Sequence, residues 1–153
     1  MKINKIIISP YTSRLKNGMR NAKQYPFWKE LVSLLKERNI YTLQVGVNGE
    51  ERIGANDYKM NLSLYELKEI LFEYDTFISV DNFFHHFAHY YKKTGIVIWS
   101  KSDPILFGYS DNMNILKDRK YLRPDQFGVW SMCKYEKEAF YSAKEIFNLI
   151  NLA

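Results

Sequence analysis

Short apolar runs alternate with amphipathic segments along the whole chain. Four runs rich in β-branched residues predict strands, and two weaker runs, at 57–62 and 112–116, predict two further strands. Strand-rich segments separated by helical ones favour a parallel sheet over an antiparallel one. The predicted strands cover 5–9, 41–47, 57–62, 76–81, 95–100 and 112–116.

The segments between these runs carry apolar residues at helical spacing. One helix is expected to open at Ser63, because Glu66 follows three residues later and completes a capping-box pattern. The last helix is predicted from a stripe formed by Phe140, Ala143, Ile146, Phe147 and Ile150. The predicted helices cover 25–38, a segment opened by Ser63, 83–93 and 135–151.

The order of these elements predicts one α/β domain over residues 1–153, a Rossmann-like doubly wound parallel sheet with helices on both faces. Ligands of such sheets bind beyond the carboxyl ends of the strands. The segments expected at that edge are 9–13, 46–51, 81–86 and 100–104.

Composition narrows the class of protein without selecting a function. Hydrophobic residues make up 46% and charged residues 25% of the chain, as in globular proteins, and no apolar run is long enough for a membrane helix. Cys133 is the only cysteine, which excludes a disulfide framework and favours a cytoplasmic location. The net charge of +5 mildly favours anionic partners.

The stretch ISVDNFFHHFAHYY (78–91) concentrates polar and aromatic residues where a strand meets a helix. Asp81 and Asn82 are expected to cap the helix. His85 and His89 are spaced to share one face, but no third metal ligand is evident, so no metal is predicted. His86 lies in the first turn, where backbone N–H groups attract anions, and it could reach a phosphate there.

Several motifs recur in the order known from one family. Thr12 and Ser13 precede Lys23 in the first loop, a glycine precedes two acids after the second strand, and Asp81 is followed by His86 and Ala88. On these motifs the chain resembles the donor-binding, C-terminal half of the ADP-heptose:lipopolysaccharide heptosyltransferases, glycosyltransferase family nine, over about its whole length. The remaining matches are Gly46 with Glu50 and Glu51, SKSDP (100–104), FGY (107–109) and YLRPDQFGVW (121–130).

The resemblance implies half of a GT-B fold and a nucleotide sugar as substrate, without a cofactor or a metal. It implies that the nucleoside diphosphate is held by hydroxyls, a lysine and the 81–86 loop, and that the ribose is held after the second strand. It implies that the catalytic base comes from the other half of the fold, so the catalytic residues are unknown. The phosphate-binding residues implied are Thr12, Ser13, Lys23, Asp81, Asn82, His86 and Ser102, and the ribose- or base-binding residues are Gly46, Glu50 and Glu51.

Two departures from the family pattern keep other functions open. Phe83 and Ser100 stand where the family has glycines, and the acceptor-binding half with its catalytic base is not in this sequence. Glycosyl transfer would therefore need a partner chain or a second subunit to complete the cleft. The alternatives are a non-catalytic domain that binds a nucleotide or a protein, and nucleic-acid binding through the basic loop 14–23 and exposed tyrosines.

Overall fold

The fold is a six-stranded sheet in which every strand runs parallel to its neighbours. The computed structural model describes residues 2–150. The strands are β1 (Lys5–Ser9), β2 (Tyr41–Gly46), β3 (Asp57–Met60), β4 (Thr76–Val80), β5 (Ile96–Trp99) and β6 (Met113–Leu116). Their order in the sheet is β3-β2-β1-β4-β5-β6, which confirms the predicted Rossmann-like topology.

Five α-helices connect or flank the strands within the described residues. All the predicted helices are present, and a short one that follows Asp103 was not predicted. None of the helices within residues 2–150 has the length and apolar character needed to cross a membrane. The helices are α1 (Trp28–Glu37), α2 (Leu64–Glu73), α3 (Phe83–Tyr90), α4 (Pro104–Phe107) and α5 (Ala143–Ile150).

Alternating residues of β1 divide the core into two layers. Ile6 and Ile8 belong to one apolar cluster with residues of α1 and α5, whereas Ile7 belongs to a second cluster with residues of α2 and α3. This follows from the two-residue period of a strand, which sends neighbouring side chains to opposite faces. All three isoleucines are fully buried, and each contributes about 1.5–3 kcal/mol to the free energy of folding.

The last helix is shorter than the sequence predicted. It begins at Ala143, and 135–142 form loop and a 3₁₀ turn at Lys137–Ala139 instead. The reason is a capping box: the Ser142 hydroxyl accepts from the Glu145 N–H at 3.2 Å, and the Glu145 carboxylate accepts from the Ser142 N–H at 2.8 Å. Residue 151, the predicted end, lies outside the described residues.

Helix α3 ends at Tyr90, three residues before the predicted end. Tyr91 is the C-cap, and Lys92 has a φ of 58°, which a right-handed helix cannot contain. The helix buries Phe84, Phe87 and Ala88, and it also buries one of its histidines, His85.

Candidate functional site

The strand order reverses between β1 and β4, and most of the polar and titratable side chains of the candidate site gather there. Successive strands run outwards from β1 to β3 on one side and from β4 to β6 on the other. The loops after the two central strands diverge and leave a crevice at their carboxyl ends, the usual ligand position in this fold. The first residues of α3 stand in that crevice, between a cavity on the β2 side and a smaller one on the β5 side.

Asp81 is the centre of a buried polar cluster at the end of β4. One carboxylate oxygen accepts from the Ser102 hydroxyl at 2.7 Å and lies 3.0 Å from the Lys23 ammonium, and the other lies 3.1 Å from Nε2 of His85. Burial acts to raise the pKa of the Asp81 carboxyl, but the His85 hydrogen bond, the Lys23 charge and the Ser102 hydrogen bond outweigh it and lower the pKa to about 2. Asp81 is therefore an anion at neutral pH.

The expectation that Asp81 caps α3 is wrong, because its carboxylate is turned towards these partners. Asn82 alone is the N-cap: its Oδ1 accepts from the Phe84 N–H at 2.9 Å. Its Nδ2 donates to the backbone oxygens of Ser9 and Tyr11, at 3.1 and 3.0 Å. One amide side chain thus fixes the start of α3 against the end of β1, where the loop with Thr12 and Ser13 begins.

Ser100 and Ser102 lie in the loop after β5, and each hydroxyl donates to another segment of the chain. Ser102 is buried, and its hydroxyl donates to Asp81. Ser100 replaces the glycine of the family pattern, and its hydroxyl donates to the Ala22 carbonyl at 2.9 Å. The Ser100 bond joins the loop after β5 to the first loop, and the Ser102 bond joins it to the end of β4.

His86 is exposed on the β5 side of α3. Its Nδ1 lies 2.7 Å from the Tyr109 hydroxyl, and His89 stacks on the same tyrosine ring with centroids 3.6 Å apart. Burial, followed by the neighbouring His85, lowers the pKa of His86, so its imidazole is neutral at pH 7. When the Tyr109 hydroxyl donates to Nδ1, Nε2 carries the proton and can donate to a ligand.

Asp81, His85 and His86 form the one group within residues 2–150 whose ligand atoms approach closely enough to suggest a metal, all within 4.8 Å of one another. Sequence reasoning found no such third ligand. However, the Lys23 ammonium lies 3.0 Å from the Asp81 carboxylate and supplies the positive charge there. A second cation would be repelled, so the geometry favours an anion in the adjoining space, and the prediction of no metal stays a prediction.

The two acids predicted to follow β2 differ in their surroundings. Glu50 is half-buried between the end of β2 and the first loop, and burial raises the pKa of its carboxyl. One of its oxygens accepts from the Val47 N–H at 2.7 Å, and the other has no partner among the described residues. Glu51 is exposed and pairs with Lys29 at 2.6 Å. Glu50 is therefore the acid that adjoins the crevice.

Gly46 leaves room for the carboxylate of Glu50 at the end of β2. A Cβ atom at residue 46 would lie 2.8 Å from the nearer carboxylate oxygen of Glu50, closer than such atoms approach in real structures. The glycine thus lets the carboxylate fold back against the end of β2.

The cavity on the β2 side has a volume of about 590 Å³. Phe83, which replaces a glycine of the family pattern, is 60% exposed and has its ring 5.5 Å from the ring of Phe87. The ring therefore borders the cavity and leaves its volume open. Predicted site residues in the lining are Thr12, Ser13, Gly46, Glu50 and Asn82.

The cavity on the β5 side has a volume of about 310 Å³ and combines basic and aromatic side chains. Lys23, Asp81 and His86 were singled out from the sequence. The segment YLRPDQFGVW (121–130) is only part of the family resemblance, and the sequence predicts no binding role for Arg123, Gln126 or Trp130. The signal available was the proximity of an arginine, an amide and a tryptophan in one turn-rich segment. The cavity is lined by Lys23, Asp81, His86, Phe107, Arg123, Gln126, Phe127, Gly128 and Trp130.

Solved structures with a similar fold include two E. coli heptosyltransferases and a further bacterial glycosyltransferase. The E. coli heptosyltransferase WaaC with ADP is 17% identical, with a TM-score of 0.70 over 96% of this chain and 43% of its own. E. coli ADP-heptose lps heptosyltransferase II is 12% identical, with a TM-score of 0.64 over 98% of this chain and 46% of its own. No family model matches the sequence, and no curated protein is significantly similar to it.

A third similar structure is TibC, an iron-containing dodecameric glycosyltransferase from enterotoxigenic E. coli H10407. It is 14% identical, with a TM-score of 0.62 over 94% of this chain and 38% of its own. The chain thus spans less than half the length of each of these proteins. The comparisons confirm the predicted fold, a Rossmann-like parallel α/β sheet similar to part of each of these glycosyltransferases, at identities that establish the fold alone.

Proposed function

We propose that the chain is a nucleotide-sugar-binding module of the glycosyltransferase type. The observation that carries this proposal is the position of the α3 tip between two cavities, one bordered by Glu50 and the other by Lys23. A nucleoside on the β2 side and a sugar on the β5 side would then be joined by a diphosphate across the helix tip. The ligands named in similar structures, ADP and ADP-2-deoxy-2-fluoro heptose, support this class of molecule.

The nucleoside is proposed to occupy the larger cavity. Glu50 lines this cavity and has a buried carboxylate oxygen without a partner in the described residues, which ribose hydroxyls would suit once the side chain turns towards the cavity. Thr12 and Ser13 line the same cavity, together with the first residues of α3. The exposed ring of Phe83 offers a face for the base. Glu51 is not part of this proposal, because it points to Lys29 on the exposed side.

The phosphates are proposed to lie over the first turn of α3. The N–H groups there carry the positive end of the helix dipole. Asn82 caps only the Phe84 N–H, so the other first-turn N–H groups are left for a ligand. Lys23 has three ammonium hydrogens, so it can remain on Asp81 and still donate to a phosphate. His86 adds a neutral donor through Nε2.

Glycosyl transfer would need an acceptor site and a base from outside the chain. The crevice is open above α3, and a reacting sugar must be shielded from water and aligned with its acceptor. We propose that a partner protein or a second subunit closes it. Within this chain, Lys23 and the N–H groups of α3 would stabilise the charge on the leaving nucleoside diphosphate.

Calorimetric titration with ADP, UDP, GDP and their sugars tests the proposal. We expect one diphosphate to bind, and we expect Asn82→Ala to weaken it because the helix tip loses its cap. The variant Asn17→Ala, on the exposed first loop, is the matched control and should bind as the wild type does. No binding of any of these ligands at millimolar concentration would refute the proposal.

A second candidate is a non-catalytic domain that uses the same fold to bind a nucleotide or a protein. Two observations favour it: the Lys23 ammonium is already paired with Asp81, and Phe83 stands where the family has a glycine. The two candidates differ in turnover. Release of nucleoside diphosphate from a bound sugar donor, measured on the purified chain with and without a partner, would exclude this second candidate.

A further inference from the structure

The aromatic ring of Trp130 holds two cationic side chains at the smaller cavity. The guanidinium carbon of Arg123 lies 3.6 Å from the ring centroid, and the ammonium of Lys23 lies 4.3 Å from it. Both distances are within the range of favourable cation–π contacts. Trp130 is therefore neither a core residue nor an isolated surface residue, and it orders the charges of this cavity.

Arg123 is not compensated by an acid. Among residues 2–150, no carboxylate lies within ion-pair distance of its guanidinium. Its hydrogen bonds go to the backbone oxygens of Gln126, at 3.0 Å, and Val129, at 3.5 Å. Lys101 is different, because it is paired with Glu136 at 2.6 Å. The positive charge of Arg123 is therefore left for a ligand.

The charge of the cavity lining is positive overall. Lys23 and Arg123 are cations, and His86 is neutral because its pKa is lowered. Asp81 is the one acid of the lining, and three donors already satisfy it. We propose that Arg123 and Trp130 form an anion subsite in this cavity, for a phosphate or carboxylate carried by the ligand beyond its nucleoside.

Two sources of such an anion fit the cavity. One is the distal phosphate of a nucleoside diphosphate, and the other is the acidic substituent of a sugar, for which the exposed ring of Phe127 provides an apolar wall. Phosphate and carboxylate groups each offer two oxygens that a guanidinium can bind with two parallel hydrogen bonds. The proposal that a nucleotide or a nucleotide sugar carries this anion rests on the proposed function. The proposal that the subsite binds a simple anion does not.

The first experiment uses inorganic pyrophosphate as the probe and the indole N–H signals of the three tryptophans in an NMR spectrum. Trp28 and Trp99 donate to Pro10 and Asn114 away from the cavity, so only Trp130, identified with Trp130→Phe, should shift. We expect Arg123→Gln to weaken pyrophosphate binding about tenfold. The control Arg38→Gln removes an arginine that lies over Phe147, remote from the site, and should change it by less than about twofold.

Trp130→Leu is the second variant, in case Arg123→Gln disturbs the loop. It keeps the hydrogen bonds of Arg123 but removes the ring that orders both cations, and it should also weaken pyrophosphate. Unchanged Trp28 and Trp99 signals show that each variant is folded. Pyrophosphate that binds without moving Trp130, or that binds Arg123→Gln and Arg38→Gln equally, overturns the subsite.

Two comparisons identify the source of the anion. A preference for ADP over AMP that Arg123→Gln removes indicates the distal phosphate. A preference for UDP-glucuronate over UDP-glucose that the same variant removes indicates an acidic sugar. If ADP and UDP-glucuronate each bind wild type and Arg123→Gln equally, the proposed function stands and the subsite is refuted. If pyrophosphate depends on Arg123 but no nucleotide binds, the subsite stands and the proposed function is refuted.

Discussion

The Lys23 ammonium lies 3.0 Å from the Asp81 carboxylate, and the two side chains are only 16% and 9% exposed. The chain thus holds a nearly buried ion pair between its long first loop and the end of β4. Removing one member of such a pair leaves an uncompensated charge in a poorly solvated place, whereas removing both does not. The pair therefore ties the position of the first loop to the site, whether or not a ligand is present.

Lys23→Met should lower the free energy of unfolding at pH 7 by about 3 kcal/mol, because it leaves the Asp81 carboxylate without its cation. The double variant Lys23→Met with Asp81→Asn should lose less than the sum of the two single variants, by at least about 1 kcal/mol. Urea denaturation of all four proteins measures this coupling. Additive losses would show that the two groups do not interact.

The stability of the protein should depend on the protonation of Asp81 in acid. The pKa of this carboxyl is lowered from 3.8 to about 2 in the folded chain, so its contribution is complete above the unfolded value and is lost as the pH falls through the folded one. The difference corresponds to about 2 kcal/mol.

The wild type should therefore lose about 2 kcal/mol more than Asp81→Asn when both are taken from pH 5 to about pH 2. Other acids with lowered pKa values, such as Asp75 and Asp103, are present in both proteins and cancel in the difference. Denaturant titrations at the two pH values give the measurement. Parallel losses would mean that the Asp81 carboxyl is not stabilised as an anion.

Most of the fold could be predicted from the sequence because its signals are local. The buried strands are continuous runs of β-branched residues, and Ser63 with Glu66 caps α2 with both bonds of the predicted capping box. The errors are also local in origin. The apolar stripe that begins at Phe140 predicts the start of α5 too early, because Ser142 and Glu145 form the capping box at which the helix begins. The left-handed turn at Lys92 has no distinctive residue pattern in the sequence.

The site was harder to predict, because its geometry depends on contacts between distant segments. The family pattern grouped Asp81 and Ser102 with the phosphate ligands, but the fold turns both side chains towards each other. Sequence could not separate Glu50 from Glu51, since only the folded turn after β2 buries the first and exposes the second. The role of Trp130 has no local sequence signal, because it depends on how the last loops place its ring beside Lys23 and Arg123.

Ser142→Ala tests the revised start of α5. The hydroxyl accepts from the Glu145 N–H, and its removal should lower the free energy of unfolding by about 1 kcal/mol. Ser33→Ala is the matched control, because Ser33 is an exposed residue inside α1 where alanine is a better helix former, and it should be neutral or slightly stabilising. Equal effects of the two substitutions would argue that the helix begins earlier, as its apolar stripe suggests.

Glu50→Gln and Glu51→Gln form a matched pair for the nucleoside side of the site. Glu50 lines the larger cavity and has an oxygen without a partner, so its loss should weaken binding of the preferred nucleotide about tenfold. Glu51 is exposed and bonded to Lys29, so its substitution should change affinity by less than about twofold. Calorimetric titration of the nucleotide and of the corresponding 2′-deoxynucleotide separates a ribose contact from a general charge effect. The deoxy compound should bind wild type and Glu50→Gln more nearly alike, and a loss that is the same for both nucleotides would remove Glu50 from the ribose site.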